Sequence, residues 1–222
     1  MPSPFLAVIK DIADSQTFMK RLIFFFLAAA ALSCQVQNPG DFSFEETALI
    51  HQADSIMRVL TIEDSQDNRI LRTQCSNLSE TALVSEDFAE LARLMVATVT
   101  HPSQDGVGIA GPQIGLNRRI VAVQRFDKPG EPFEVYPNVS ITWMSDSLAY
   151  GPEGCLSVPD RRGEVLRSQE IVIEYASVDR KDNAIRTVRD TIQGFTAVIF
   201  QHEIDHLDGI LYIDRLSSAD NQ

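Results

Sequence analysis

Cysteine is scarce, basic side chains are outnumbered, and no apolar run is long enough to cross a bilayer. The three cysteines, Cys34, Cys75 and Cys155, fall in no paired spacing, which argues against a disulfide-stapled scaffold. Nineteen Lys and Arg stand against 31 Asp and Glu, a formal charge of −12. That deficit argues against nucleic acid or an anionic membrane surface as a partner of the folded part, although solubility alone accounts for an acidic balance. The apolar run Leu22 to Leu32 falls short of the roughly 20 residues that a spanning helix requires.

What remains is a globular composition, 44% hydrophobic and 23% charged, in 222 residues. That length suits one domain with a proper core. The chain divides into residues 1–34, a tether over 35–44, and a folded domain over 45–222. Within the first part, Met19 is followed by Lys20-Arg21, the run Leu22 to Leu32, and Ser33-Cys34. A charged start, a short apolar centre and a small residue before the break have the form of a targeting segment, with a short buried helix as the plainer alternative. Ala31-Leu32-Ser33-Cys34 resembles the lipobox of bacterial lipoproteins, which implies a lipid anchor at Cys34, a start at Met19 and a cell-envelope location facing the periplasm. Without processing, the location is cytoplasmic.

The pattern predicts a helix over Glu45 to His51, a strand over Ile56 to Ile62 and a polar turn over Asp64 to Asn68. Ser85-Glu86-Asp87 opens a helix running to about Val99, with Phe88, Leu91, Leu94, Met95 and Val99 on one face. Strands are predicted at Ile120 to Val123, Phe133 to Tyr136 and Val139 to Trp143.

Three segments carry chemistry. Gly106-Val107-Gly108-Ile109-Ala110-Gly111-Pro112-Gln113-Ile114-Gly115 holds four glycines in ten residues, so something approaches its backbone closely. The Walker lysine and hydroxyl are missing, and no helix follows, which disfavours a phosphate loop. A peptide laid along Gly106, Val107 and Gly108 as an added strand suits the glycines better, with Gln113 as a neutral donor. Glu153-Gly154-Cys155-Leu156-Ser157 presents a thiol that is a buried apolar group, a nucleophile or a soft metal ligand. Gln201-His202-Glu203-Ile204-Asp205-His206 closes an apolar run beginning after Gly194. Phe195, Val198, Ile199, His202 and His206 recur at helical spacing and are expected on the buried face, with Asp208-Gly209 as the stop. Two imidazoles four apart converge on one ion while Glu203, about 100° further round, acts on a bound water. A hydrogen-bonded core pair is the bland alternative.

Taken together, G-V-G-I-A-G-P-Q at Gly106 to Gln113, E-G-C-L-S at Glu153 to Ser157 and Q-H-E-I-D-H-L-D-G at Gln201 to Gly209 resemble the three signature motifs of peptide deformylases, in order, within a likeness from about Met57 to Leu216. The resemblance implies an α+β domain whose H-E-x-x-H helix is enclosed by mostly antiparallel β-sheets. It implies one divalent metal on Cys155, His202 and His206, characteristically Fe2+, with Zn2+, Ni2+ or Co2+ as alternatives. The implied substrate is an N-formylmethionyl peptide paired along Gly106 to Gly108, with formate released. Glu203 would move the water proton, and Gln113 and the Leu156 N–H would bind the oxyanion.

Glu153 and Arg167 match a pair that supports the metal loop, with an exposed ion pair of little worth as the alternative. Val165 to Glu174, Ala184 to Arg189 and Leu211 to Ile213 read as further strands. Gly111 replaces the usual second alanine, a change expected to cost rigidity and spare the chemistry. Many bacterial members continue into a basic C-terminal helix that docks the ribosome, whereas Leu216 to Gln222 is short and acidic, so ribosome docking is not expected; the acidic surface and the tether suggest a monomer. Two other classes stand beside this one. An exported deformylase-like protein would scavenge or only bind metal or formyl peptide, but no catalytic group is missing. A zincin-like protease would need a third ligand after Leu207, where only Asp208 and Asp214 offer carboxylates before the tail.

Overall fold

Ile120-Val121-Ala122-Val123 is apolar at every position because the strand it forms is covered on both faces. The computed structural model describes residues 38–179 and 181–216. The targeting pattern and Cys34 lie outside them, as does the tail after Leu216.

Among the described residues, four helices precede the first strand: α1 (Phe44–Gln52), α2 (Ser65–Leu71), α3 (Glu80–Leu83) and α4 (Glu86–Val99). Next come β1 (Gly108–Ala110), a 3-10 turn at Gly111–Ile114, β2 (Ile120–Gln124), β3 (Phe133–Pro137), β4 (Ser140–Met144), β5 (Leu148–Cys155), β6 (Val158–Ser168), β7 (Glu170–Val178) and β8 (Ile185–Gln193). Helix α5 (Gly194–Leu207) and a 3-10 turn at Tyr212–Asp214 follow. The strands form two antiparallel three-stranded sheets, β1-β2-β3 and β4-β7-β8, and the β5-β6 hairpin. The α+β architecture expected from the sequence is the one observed.

Side chains alternate across a strand, and β2 uses both sides. Ile120 and Ala122, with Ile109 of β1, pack with Leu91, Leu94, Met95 and Val99 of α4. Val121 and Val123, with Ala110, pack with Ala197, Phe200, Ile204 and Leu207 of α5. Burying a Leu or Val side chain is worth about 1.5–3 kcal/mol, so these two layers fix where α5 lies against β1. Helix α4 begins where its sequence says it should. Ser85 Oγ accepts from Phe88 N–H at 3.1 Å, with Glu86 and Asp87 in the first turn. At the end of α5, Gly209 takes φ +73°, and a Cβ there would stand 2.6 Å from Arg72 O.

Several local expectations fail for physical reasons. Asp64 to Asn68 is no turn: Asp64 caps α2, its Oδ1 accepting from Gln66 N–H at 2.7 Å and Asp67 N–H at 3.0 Å. Ile56 to Ile62 joins no ladder. Its N–H groups go instead to Thr98 Oγ1 from Met57, Gln113 O from Leu60, Asp67 Oδ2 from Thr61 and Ser157 O from Ile62. Val165 to Glu174 is two strands that part at Gln169, and Leu211 to Ile213 enters a 3-10 turn rather than a strand. The tether reading fails from Pro39 onward. Arg118 Nη1 donates to Pro39 O at 2.8 Å and Nη2 to Asp41 O at 2.7 Å, and Phe42 is buried.

Candidate metal centre and cleft

Two pieces of chain bring the chemistry together. The β5-β6 hairpin delivers Cys155 at its turn, and one turn of α5 delivers His202 and His206. One ligand atom from each lies within 4.8 Å of the others. Cys155 Sγ and His206 Nε2 are 3.2 Å apart. Tetrahedral zinc with ordinary Zn–S and Zn–N lengths would set them about 3.5 Å apart, so a thiolate and two imidazoles here fit one small divalent ion.

The surroundings fix each donor. Glu153 Oε2 lies 2.7 Å from His202 Nδ1, which holds the ring proton there and frees Nε2. Arg167 donates through Nε to Glu153 Oε1 at 2.8 Å and through Nη2 to Oε2 at 3.1 Å. Burial works against the Glu153 carboxylate, but His202 and Arg167 hold it down at about 2. Burial also opposes charge on His202, yet its bonds to Cys155 and Glu153 outweigh that and raise it well above the ordinary imidazole range. His206 is pushed well below that range, by burial first and by the neighbouring His202 charge second. The alternative of an exposed Glu153–Arg167 pair does not hold, since both side chains are buried.

Glu203 is buried at 4% exposure, and its Oε2 has no hydrogen-bond partner among the described residues. Burial raises its carboxyl to about 7. Gln113 is buried too, and its orientation is determined by its neighbours. Its Oε1 accepts from Ala110 N–H at 2.8 Å, which turns Nε2 toward Ser157 Oγ at 3.3 Å and Cys155 Sγ at 3.5 Å.

These groups open onto a cleft of about 850 Å³ lined by Gly106, Val107, Gly108, Gln113, Cys155, Leu156, His202 and Glu203, among others. Among the described residues, β1 is an edge strand. Val107 O accepts from Gln124 N–H at 2.9 Å, so Gly108, the next residue, turns its own N–H and C=O away from β2 and out from the free edge. Of the residues singled out in the sequence, Gly106, Val107, Gly108, Gln113, Glu153, Cys155, Leu156, His202 and Glu203 line this cleft, while His206 and Arg167 are buried behind it. The expectation of a shared buried face holds for Ile199 and His206, with Val198 and His202 partly buried, and is corrected for Phe195, which is 56% exposed and forms the cleft wall with Val198 and Ile199. Helix α5 buries most of its circumference instead. Asp205 was not singled out, although its place between the histidines, three residues after the first, was a usable signal.

The sequence profile of polypeptide deformylases matches residues 56–222. The chain belongs to the polypeptide deformylase family. A peptide deformylase of Leptospira biflexa is 39% identical over 159 residues, covering 68% of this chain and 85% of that relative. Among solved structures, the Met-Ala-Ser-bound class I type b peptide deformylase of Acinetobacter baumannii has a TM-score of 0.63 at 34% identity, covering 72% of this chain and 98% of that one. The peptide deformylase of Thermotoga maritima has a TM-score of 0.61 at 29% identity, covering 73% and 98%. Deformylases are metal-dependent, and the Cys155, His202 and His206 group is the matching feature of this one.

Proposed function

We propose that this chain removes the formyl group from N-formylmethionyl peptides, giving formate and a free amino terminus. The observation that carries the reading is the convergence of Cys155, His202 and His206 beside a buried Glu203 whose Oε2 has no partner among the described residues. Those three residues hold one divalent ion, which supplies Lewis acidity when bound. Glu203 takes the proton of the attacking water at a carboxylate oxygen and hands it to the departing amine. Gln113 Nε2 and the Leu156 N–H donate to the formyl oxygen as negative charge develops on it. The peptide lies along Gly106 to Gly108, bonded to the outward groups of Gly108. Phe195, Val198 and Ile199 offer an apolar wall to an unbranched side chain such as methionine.

Fe2+ is the metal we infer from the family, since a Cys/His/His set does not choose among Fe2+, Zn2+, Ni2+ and Co2+. The test is formate release from formyl-Met-Ala-Ser by anaerobically purified, iron-loaded protein, with acetyl-Met-Ala-Ser alongside. Formate from the first and no deacetylation of the second supports the reading. Loss of neither group would contradict it.

We also infer a lipid anchor at Cys34 in the cell envelope, where a monomer would act on short formyl peptides rather than on chains at the ribosome. The pattern Lys20-Arg21, Leu22 to Leu32, Ser33-Cys34 supports it. No helix among the described residues is long and apolar enough to cross a membrane. Palmitate labelling with globomycin-sensitive processing is the expected result; an unprocessed cytoplasmic form would contradict it.

A further inference from the structure

Behind the ligands runs a chain of charges that ends on the segment after α5. Asp205, one residue before His206, has a side chain that is 12% exposed and shared by two guanidinium groups. Arg167 Nη1 donates to Asp205 Oδ2 at 2.6 Å. Arg215 donates in a fork, Nε to Oδ2 at 2.6 Å and Nη2 to Oδ1 at 2.6 Å. Arg167 is the same residue whose Nε and Nη2 hold Glu153, which in turn holds His202 Nδ1. Next to Arg215, Leu216 forms an antiparallel bridge with Val165 of β6, and a Cβ on Gly163 would run into Leu216 Cδ2.

We propose that Arg215 is a positioning residue for the metal centre, acting through Asp205, Arg167 and Glu153 on His202. The proposal rests on the metal-site reading above. Arg167 divides its donors between two carboxylates, and Arg215 is what lets it do so. With Arg215 on Asp205, one carboxylate is already neutralised, and the Arg167 fork stays on Glu153. Without it, Asp205 draws Arg167 toward α5, the grip on Glu153 loosens, and the His202 ring loses its fixed orientation. The same segment lies against β6 through Leu216, so it ties the hairpin bearing Cys155 to the helix bearing both histidines. An ordinary surface ion pair would do none of this. Arg215 has a side chain 42% exposed, so its pairing contributes little to global stability. Its effect belongs at the metal.

The test uses the full chain loaded with Co2+, comparing wild type, Arg215→Ala, Arg215→Lys and Arg72→Ala. Arg72 pairs with Asp214 in the same segment but touches no member of the relay, so it controls for loosening of the segment. The readouts are the rate of cobalt loss to a chelator, the visible cobalt–thiolate spectrum and the urea midpoint. Partners behind a metal ligand typically change affinity 10- to 100-fold. Arg215→Ala is expected to speed cobalt loss by about tenfold and to shift the spectrum, with the urea midpoint near that of wild type. Arg215→Lys, which keeps the charge without the fork, falls between, and Arg72→Ala matches wild type. Cobalt loss from either Arg215 variant at the wild-type rate, or equal acceleration in Arg72→Ala, would overturn the proposal. If Arg215→Ala does not fold, Arg215→Lys decides on the same criterion. Wild type that takes up no cobalt, or a spectrum unchanged in Cys155→Ser, would sink the metal-site reading itself.

Discussion

A Cβ built on Gly108 would fall within 2.9 Å of Glu203 Cδ and Cγ, and closer still to Oε1. The glycine at the free edge of β1 is therefore what admits the carboxylate to its place beside the three ligands. Gly108→Ala should push Glu203 aside and lower kcat by about 100-fold, the effect typical of an ångström-scale misplacement. Metal content should stay at wild-type level. Steady-state kinetics with metal analysis on one sample checks both, and unchanged kcat would show that Glu203 needs no such space.

Arg167 neutralises Glu153 and Asp205 from a buried position. Arg167→Met leaves both carboxylates short of a partner in a poorly solvated place. Removing one member of a buried charge pair costs about 3–5 kcal/mol. Urea unfolding should register a loss of that order together with weaker metal retention. A loss below about 1 kcal/mol would mean that the relay is solvated in solution, like an ordinary surface pair.

The Glu203 carboxyl, raised by burial from 4.5 to about 7, makes a stability prediction for chelator-stripped protein. Its folded pKa exceeds its unfolded one, so the native state binds the extra proton between those values. The contribution is fully present below pH 4.5 and is lost as pH rises through about 7. Glu203→Gln has no such proton. The wild type minus Glu203→Gln difference in unfolding free energy should therefore fall by about 3 kcal/mol from pH 4.5 to pH 8, measured by urea midpoints. A flat difference would place Glu203 in water.

Residues whose roles are local were legible in the sequence. Ser85 and the stripe from Phe88 to Val99 mark α4 to the residue, because capping and one-sided packing are written in neighbouring positions. The three motifs name the residues that gather in the cleft. What was not legible depends on partners far along the chain. The polar run at Asp64 passes for a turn until its carboxylate is seen capping α2. The segment Ile56 to Ile62 has strand composition but spends its N–H groups on four separate parts of the chain. The resemblance pairs Arg167 with Glu153, but nothing near either in sequence reveals that Arg167 also holds Asp205, 38 residues further on.

Gly111 shows the same limit on a smaller scale. As a small-for-small replacement it looked tolerant, yet a Cβ there would stand 2.6 Å from Arg118 O and 2.7 Å from Leu116 O. Both are backbone atoms, which cannot step aside as a flexible side-chain tip can. Gly111→Ala should therefore cost about 1–3 kcal/mol, as overpacking does, and disturb the turn that carries Gln113. Thermal unfolding and kcat should both fall. Wild-type values for both would show that the loop at Leu116 to Arg118 yields freely.

The central claim is that Glu203 moves the proton while Cys155, His202 and His206 hold the metal. It is tested most directly by iron-loaded wild type and Glu203→Gln, with bound metal and formate release from formyl-Met-Ala-Ser measured on the same preparations. The account expects equal metal in both and a rate at least about 100-fold lower in Glu203→Gln, the lower bound of what a positioned acid–base group contributes. Equal metal with an unimpaired rate would contradict it and assign the proton to another group.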